Sequence, residues 1–330
     1  MDSTADPAPP PALVTLDDIV AAASRIAGVA MRTPLLRIEQ DAFIKPESLQ
    51  PTGSFKIRGA YNALAQLTPR EAAAGVVTHS SGNHAQAVAR AARLLGIRAT
   101  VVMPNDAPQV KVAGVRADGA EIIFVGPANE ERVELAHRLA DEQGMVLVPS
   151  ANDARVICGQ GTCGLEIVEQ LALAGVEEPV NVLVPIGLGG LAAGVSTAVK
   201  ARLPNAHVYG VEPELAADTR ASLLAGERVR WDPAQTGLTM ADGLRGESPA
   251  PIPFAHLQRC LDGVLTVSED EIADAVRHAV LHLRLVLEPS GAVTLAALLH
   301  RRAELPPGPV VVVASGGNVD RGRLLDLLVE

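Results

Sequence analysis

Seven short apolar runs, rich in β-branched residues, recur along the chain and are separated by stretches with helical character. The runs read GVVTHS, ATVVMP, AEIIFVG, MVLVPS, NVLVPIG, HVYGVEP and PVVVVASGG. The clearest helical stretches are residues 83–95, 129–143, 160–174 and 191–202. Continuous apolar runs are typical of strands buried on both faces, and their alternation with helices is typical of parallel sheets. The sequence therefore predicts an α/β fold with open, twisted, mostly parallel sheets flanked by helices.

The charge of the chain limits its partners. Its 330 residues are 48% hydrophobic and 20% charged, which indicates a globular protein with one large or two medium domains. A formal net charge of −10 repels phosphate, so neither a nucleic acid nor an anionic membrane surface is an expected partner. We expect a small-molecule substrate, and any anionic group on it has to be held by local devices such as backbone N–H groups.

Cysteine use and the N-terminal sequence favour the cytoplasm. The three cysteines form no disulfide framework, and Cys and His do not cluster in a metal-binding pattern. The first residues, MDSTADPAPPPALV, have neither the basic nor the apolar segment of a signal peptide. No run reaches the apolar length of a membrane span. We therefore predict a cytoplasmic enzyme with reduced thiols.

The segment THSSGNH predicts a turn between a strand and a helix. Its small and polar residues are Ser80, Ser81, Gly82 and Asn83, followed by His84. Such turns expose backbone N–H groups at the positive end of a helix, where carboxylates and phosphates bind. An ordinary helix cap is the simpler interpretation, but capping needs only one such residue. We expect this turn to bind an anionic group at the carboxyl end of its strand.

The segment PIGLGGLAAG predicts a second anion-binding turn. Gly187, Gly189 and Ala192 fit the G-x-G-x-x-A pattern of dinucleotide folds, and Glu212 follows about 20 residues later, as NAD binding requires. The underlying physics is less specific, because glycines allow close approach to any phosphate. A tight turn with close helix packing is the plainest alternative.

Three further turns carry small or polar residues in positions that can converge on one ligand. SGGN places Ser315 directly after an apolar strand, EPSGA places Glu288 at a helix start, and ADG places Gly243 in a loop. Each is a common turn sequence by itself. We assign Glu288 to the cofactor side of the resulting pocket and Gly243 to its substrate side.

Lys56 lies between Phe55 and Ile57 in PTGSFKIRGA, where a solvated charge gains little. A desolvated lysine has a lowered pKa and can form an imine with an aldehyde. A surface lysine that extends to solvent is the usual alternative. Together with the anion-binding turns and Ser315, Lys56 completes the set of groups needed to hold pyridoxal phosphate.

The chain resembles the fold-type II pyridoxal-phosphate enzymes, which are similar to tryptophan synthase β, and within them the threonine/serine dehydratase and serine racemase family. The resemblance runs from RTPLL at residues 32–36 to SGGNVD at 315–320 and includes KPESLQPTGSFKIRGA, SSGNHAQAVA, GQGT, GLGGLAAG, ADG and EPSGA. It implies a large cofactor-binding domain of residues 1–50 and 149–330, with a small mobile domain of residues 51–148 that closes over the substrate. A homodimer is usual in this family.

The resemblance also implies roles for individual residues. Lys56 would hold the cofactor as a Schiff base and act as general base, Phe55 would pack beside the cofactor, Asn83 would bond its ring hydroxyl, and Ser315 would face its ring nitrogen. The substrate carboxylate would lie on residues 80–84. The phosphate would be held by the backbone of Gly187, Leu188, Gly189, Gly190 and Leu191.

The implied reaction is α,β-elimination from L-threonine or L-serine, which gives a 2-oxo acid and ammonia. Ser81 leaves a second activity open, because racemases of this kind use a serine there as acid and base on the face opposite the lysine. An NAD-binding oxidoreductase or a non-catalytic binding protein remains a third possibility. The resemblance also places a Mg²⁺ or Ca²⁺ site at Glu212, the carbonyl of Ala216 and Asp218, where a solvated acidic loop is the alternative.

Overall fold

The computed structural model describes residues 13–80, 82–107, 109–126, 129–176 and 179–329. Ten strands and fourteen α-helices lie in these ranges. The strands are β1 (Leu36–Glu39), β2 (Ala42–Pro46), β3 (Val76–His79), β4 (Ala99–Pro104), β5 (Glu121–Val125), β6 (Val146–Leu147), β7 (Asn181–Pro185), β8 (His207–Pro213), β9 (Gly263–Val267) and β10 (Val310–Ala314). The helices are α1 (Leu16–Ile26), α2 (Lys56–Leu64), α3 (Pro69–Ala74), α4 (Asn83–Leu95), α5 (Gln109–Ala117), α6 (Asn129–Gln143), α7 (Ala154–Leu173), α8 (Gly190–Arg202), α9 (Asp218–Ala225), α10 (Pro233–Thr236), α11 (Pro251–Cys260), α12 (Glu269–His278), α13 (Pro289–Arg301) and α14 (Arg321–Val329).

The strands form two separate sheets. The larger has the order β1-β2-β10-β7-β8-β9, and the smaller has the order β5-β4-β3-β6. Every pairing is parallel except β1 with β2. The predicted α/β architecture with two mostly parallel sheets is therefore confirmed. The strands of the smaller sheet lie within residues 76–147. In the sequence they therefore fall between β2 and β7, which both belong to the larger sheet.

All seven apolar runs contain strands, and the four predicted helical stretches are helices. Three strands escaped the sequence interpretation, namely β1, β2 and β9. Every residue of β2 is buried, but the strand contains Lys45. This charged residue interrupts the apolar pattern that would have indicated a strand. The two helices predicted at residues 160–174 and 191–202 begin earlier than expected, at Ala154 and Gly190.

Alanine, valine, leucine and isoleucine fill the two faces of the larger sheet. One apolar cluster joins α1, α7 and α8 to one face, and a second joins α12 and α13 to the other. Three smaller clusters pack α2, α4, α5 and α6 on the smaller sheet. No helix of the described ranges is both long enough and apolar enough to cross a membrane. Cys158, Cys163 and Cys260 are free thiols, as the sequence predicts.

Helices α2 and α7 touch through glycine. A side chain at Gly159 would collide with the Arg58 carbonyl oxygen and would lie 2.6 Å from the Gly59 Cα. A side chain at Gly59 would collide with the Gln160 amide and would lie 2.8 Å from the Val156 carbonyl oxygen. Because a Cβ atom at either position has no room, the two backbones approach at the distance that only glycine permits.

A buried ion cluster fixes the start of α2. The Arg58 guanidinium donates to Glu47 at 2.7 Å and to Glu166 at 2.7 Å, and Lys45 Nζ lies 2.6 Å from the Glu166 carboxylate. Arg58, Glu47 and Lys45 are wholly buried. Burial alone would raise the pKa of Glu47, but the Arg58 guanidinium holds it below its ordinary value. The cluster therefore ties β2, α2 and α7 together by charges of which only Glu166 has slight access to water.

Replacing Arg58 by Met should lower the free energy of unfolding by about 3–5 kcal/mol, because the buried carboxylates of Glu47 and Glu166 lose a partner. Arg32→Met is a matched control, since Arg32 forms an exposed pair with Glu169, and its cost should stay below about 1 kcal/mol. Chemical denaturation of both variants measures the difference. Equal effects would show that the cluster does not stabilise the fold.

Candidate active site

Lys56 is the first residue of α2, and its Nζ donates a hydrogen bond to the Ser150 carbonyl oxygen at 3.1 Å. Nζ also lies 5.0 Å from the centre of the Phe55 ring. The chain has four lysines. Lys45, Lys111 and Lys200 each form an ion pair, whereas no carboxylate of the described residues lies within 4.0 Å of Lys56 Nζ.

The surroundings of Lys56 favour the unprotonated amine. Part of the residue remains open to solvent, but the neighbouring atoms desolvate its amino group. Burial lowers the pKa of Lys56 to about 8, and attraction to the Glu288 carboxylate partly opposes that shift. A neutral amine is a nucleophile and a base, so Lys56 can do both kinds of chemistry near neutral pH.

The segment after β10 lies directly beside Lys56. The Phe55 N–H donates to the Ser315 carbonyl oxygen at 3.0 Å. The Ser315 hydroxyl is buried and lies 3.5 Å from the Ser290 carbonyl oxygen. The backbone contact therefore brings the segment of Ser315 next to that of Lys56, although the two lie far apart in the sequence.

Glu288 and Asn83 connect the two sheets at this point. Asn83 Nδ2 donates to Glu288 Oε1, and Asn318 Nδ2 donates to Asn83 Oδ1 at 2.8 Å. Burial raises the pKa of Glu288 to about 7, and its Oε2 has no hydrogen-bond partner among the described residues. The side chains of Glu288 and Asn318, which come from the part of the chain that forms the larger sheet, therefore hold the Asn83 amide in place.

The predicted substrate turn follows β3 and leads into α4. The Gly82 N–H donates to the Ser80 hydroxyl at 3.2 Å, and Ser81 lies outside the described residues. The His84 ring is buried and lies 3.0 Å from the Val148 carbonyl oxygen. Burial lowers the pKa of His84 to about 3, with further repulsion from Lys56, so the ring is neutral. Its contribution to anion binding is confined to the backbone N–H.

The glycine turn links β7 to α8. Gly189 has φ 93°, a left-handed conformation that favours glycine, and caps the helix that begins at Gly190. A side chain at Gly187 would lie 3.0 Å from the Gly243 carbonyl oxygen. The first N–H groups of α8 have no acceptor within the helix and point outward at its positive end. A phosphate at this turn would meet these N–H groups.

A continuous set of contacts joins these turns. Gly187 lies against Gly243, the Gly243 N–H donates to the Ser290 hydroxyl at 2.8 Å, and Ser290 contacts Ser315. A side chain at Gly190 would lie 3.1 Å from Ala151 Cα, one residue beyond the carbonyl that accepts from Lys56. A turn that could hold a phosphate, a hydroxyl and an amine of lowered pKa are therefore linked by contacts between neighbouring segments. These groups fit pyridoxal phosphate.

The structure places the predicted cation ligands at the start of α9. Glu212 is buried and accepts the backbone N–H groups of Thr219 and Arg220, each at 2.9 Å. Asp218 is also buried, and both of its carboxylate oxygens lack a hydrogen-bond partner in the described part of the chain. Burial and the nearby Glu212 raise the pKa of Asp218 to about 8. No three His, Cys, Asp or Glu side chains of the described residues form a metal-binding group.

Sequence reasoning missed several residues of the site. Ser150 accepts from Lys56, Asn318 fixes Asn83, and Lys111 forms an ion pair with Asp242. Asp242 lies in the ADG segment and Asn318 in the SGGN segment. The sequence therefore indicated both turns but not the contacts that these two residues make. Lys111 is an ordinary lysine in a helical segment, and nothing in the local sequence distinguishes it.

The fold and the surroundings of Lys56 are those expected of an enzyme that uses an aldehyde cofactor. The comparison with protein families agrees, because the model described as pyridoxal-phosphate dependent enzyme matches residues 26–316. The chain belongs to this family. Membership of this family disfavours the dinucleotide interpretation of the glycine turn.

Two proteins and one solved structure illustrate the similarity. The L-threonine ammonia-lyase of Thermotoga maritima is 41% identical over 317 residues, which are 93% of this chain and 76% of that protein. The serine racemase of Schizosaccharomyces pombe is 36% identical over 96% of this chain and 98% of that protein. A crystal structure of threonine deaminase from T.th. has a TM-score of 0.87 and 44% identity, and covers 93% of this chain and 99% of that chain.

In the cofactor-free protein, trinitrobenzenesulfonate should react with Lys56 with a midpoint near pH 8, because burial lowers the pKa to about 8 and the neutral amine is the nucleophile. Peptide mapping distinguishes Lys56 from the other three lysines. Glu288→Gln should move the midpoint to lower pH, since the carboxylate favours the protonated amine. A midpoint near the ordinary value of 10.5 would contradict the desolvated site.

Proposed function

We propose that this protein is a pyridoxal-phosphate-dependent ammonia-lyase that converts L-threonine and L-serine into 2-oxo acids and ammonia. The observation that carries the proposal is the Lys56 amine, which has a lowered pKa, forms no ion pair with a carboxylate of the described residues and lies beside Ser150 and the segment of Ser315. The similarity to an L-threonine ammonia-lyase over 93% of the chain supports this substrate class.

The residues of the site would have separate roles in the reaction. The N–H groups at the start of α8 would hold the phosphate, the Lys56 amine would hold the aldehyde carbon, and Ser315 would face the ring nitrogen. Bound pyridoxal phosphate supplies an electron sink that acidifies the α-hydrogen of the substrate. Residues 80–84 would hold the substrate carboxylate through backbone N–H groups. Lys56 Nζ, freed when the substrate amine replaces it, would accept the α-proton.

A serine racemase is the alternative. It is favoured by the similarity to the serine racemase of S. pombe over 96% of the chain and by Ser81, which lies outside the described residues. Racemisation requires a proton donor on each face of the α-carbon, whereas elimination requires only the lysine. A racemase with Lys56 on one face and Ser81 on the other would still eliminate water as a side reaction.

The purified enzyme should absorb as a pyridoxal-phosphate imine, and borohydride should fix the cofactor to Lys56, as peptide mass spectrometry can show. With L-threonine or L-serine, it should release 2-oxo acid, and Lys56→Ala should lose this activity by at least about 1,000-fold because base and attachment point vanish together. Absence of cofactor on Lys56 would refute the proposal.

Chiral chromatography of the same reactions separates the two activities. The lyase proposal expects 2-oxo acid to exceed D-serine, with Ser81→Ala retaining most of the elimination. Predominant D-serine that disappears in Ser81→Ala would establish the racemase instead.

Glu212, the Ala216 carbonyl and Asp218 are proposed as ligands of Mg²⁺ or Ca²⁺. The two unpartnered, buried oxygens of Asp218 support this proposal, because oxygen ligands suit both ions. A bound cation would also neutralise two acidic groups that the fold keeps close together. The cation would lie where β8 ends and α9 begins, in a part of the sequence far from Lys56.

Added Ca²⁺ or Mg²⁺ should raise the melting temperature of the wild type but not that of Asp218→Asn. Without cation, Asp218→Asn should be the more stable protein at pH 8. The pKa of Asp218 is raised from 3.8 to about 8, so the folded chain retains a proton that the unfolded chain loses, and wild-type stability falls as pH rises between these values. Equal cation responses in the two proteins would exclude Asp218 as a ligand.

Residues 51–148 are proposed to form a small mobile domain, and residues 1–50 and 149–330 the large one. The separate smaller sheet within residues 76–147 supports this division. Since the ion cluster and the glycine contact hold α2 against α7, closure would move the smaller sheet, bring residues 80–84 over the substrate and exclude water. We also assign the enzyme to the cytoplasm, on the basis of its free thiols and sequence composition.

A homodimer is proposed from an exposed apolar patch formed by Met31, Leu49 and Val286, which are 46%, 42% and 48% exposed. The Met31 N–H donates to the Gln50 side chain, and Ser48 and Val286 both lie against Gly317. Their segments therefore adjoin, and an apolar surface shared by the three side chains would favour association.

A further inference from the structure

Lys111 connects the two sides of the site. It lies on α5, which packs on the smaller sheet, yet its Nζ is 2.5 Å from Asp242 Oδ2 on the side of the larger sheet. The Lys111 side chain is only 4% exposed. Ordering a long side chain and burying its charge both cost free energy, so the contacts of the Lys111 ammonium group have to offset that cost.

Residues from three segments of the chain lie near the Lys111 ammonium group. Besides Asp242, the Glu288 Oε2 atom lies 3.8 Å away, and this oxygen has no hydrogen bond of its own among the described residues. A side chain at Gly82, in the predicted substrate turn, would lie 3.8 Å from Lys111 Nζ. One cation therefore faces two acidic side chains and the turn that would hold the substrate carboxylate.

Further contacts connect Asp242 to the glycine turn. Its Oδ1 lies 3.3 Å from the Ser290 hydroxyl, which also accepts the Gly243 N–H at 2.8 Å. The Gly243 carbonyl is in turn packed against Gly187. The position of Lys111 thus sets the position of residues 242–243 relative to both anion-binding turns.

We propose that Lys111 is a positioning residue for substrate binding, which draws residues 242–243 onto the substrate turn and offsets the two acidic side chains that face it. The inference rests on the proposed function, because it concerns the same site. Without the Lys111 charge, Asp242 and Glu288 would repel an incoming carboxylate, and the loop around Asp242 would lose its attachment to α5. The effect should therefore fall on substrate affinity more than on turnover.

Lys111→Met keeps the length of the side chain and removes its charge. In the cofactor-loaded enzyme, we expect KM for L-threonine to rise at least about 10-fold, with a smaller change in kcat. Lys111→Arg, which keeps the charge, should restore KM to within about 3-fold of the wild type. Lys111→Met with Asp242→Asn should be no worse than Lys111→Met alone, since the two residues act as a unit.

Lys200→Met is the matched control, because Lys200 pairs with Asp262 at 2.7 Å outside the site. It should leave KM unchanged. Hydrogen exchange of residues 239–246 in the cofactor-free protein gives a second readout: these amides should exchange faster in Lys111→Met and Asp242→Asn, but not in Lys111→Arg or Lys200→Met.

The outcomes separate the two proposals. A wild-type protein that carries no cofactor on Lys56 would refute the proposed function. If the wild type is loaded and active, but Lys111→Met has wild-type KM and exchange, the role of Lys111 is refuted. Should Lys111→Met not fold, Asp242→Asn and Lys111→Arg decide the question, because an unchanged KM and exchange in Asp242→Asn would overturn the proposal.

Discussion

The pairing of Arg58 with Glu47 and Glu166 is the interaction on which the geometry of the site depends. These charges are shielded from water, so separating any of them would leave an unpaired ion in a medium of low dielectric constant. The cluster fixes α2 against β2 and α7. Since Lys56 lies two residues before Arg58 on the same helix, the reactive amine inherits this fixed position.

The two predicted anion sites also suit a protein with an acidic net charge. With a net charge of −10, the overall field opposes a phosphate and a carboxylate. Both predicted anion sites use helix starts instead, at Asn83 and Gly190, where the attraction is short in range and directional. The strands that precede these helices belong to different sheets, so the two anionic groups of cofactor and substrate can be held from opposite sides of one pocket.

Much of this arrangement could be predicted from the sequence, because it depends on local patterns. Apolar runs gave seven strands, and runs of small residues marked the turns after β3, β7 and β10. The interactions that depend on distant parts of the chain could not be predicted. Lys45 concealed a buried strand because its partner, Glu166, is 121 residues away. Lys111 and Asp242 are 131 residues apart, and neither pattern nor spacing connects them.

The glycine contact between α2 and α7 has a consequence for redesign. Where two backbones touch without an intervening side chain, there is no soft layer to absorb an added methyl group at Gly59 or Gly159. Such a change would displace the helix that begins with the reactive amine. Laboratory evolution of new substrate preferences therefore has almost no room along the contact between α2 and α7.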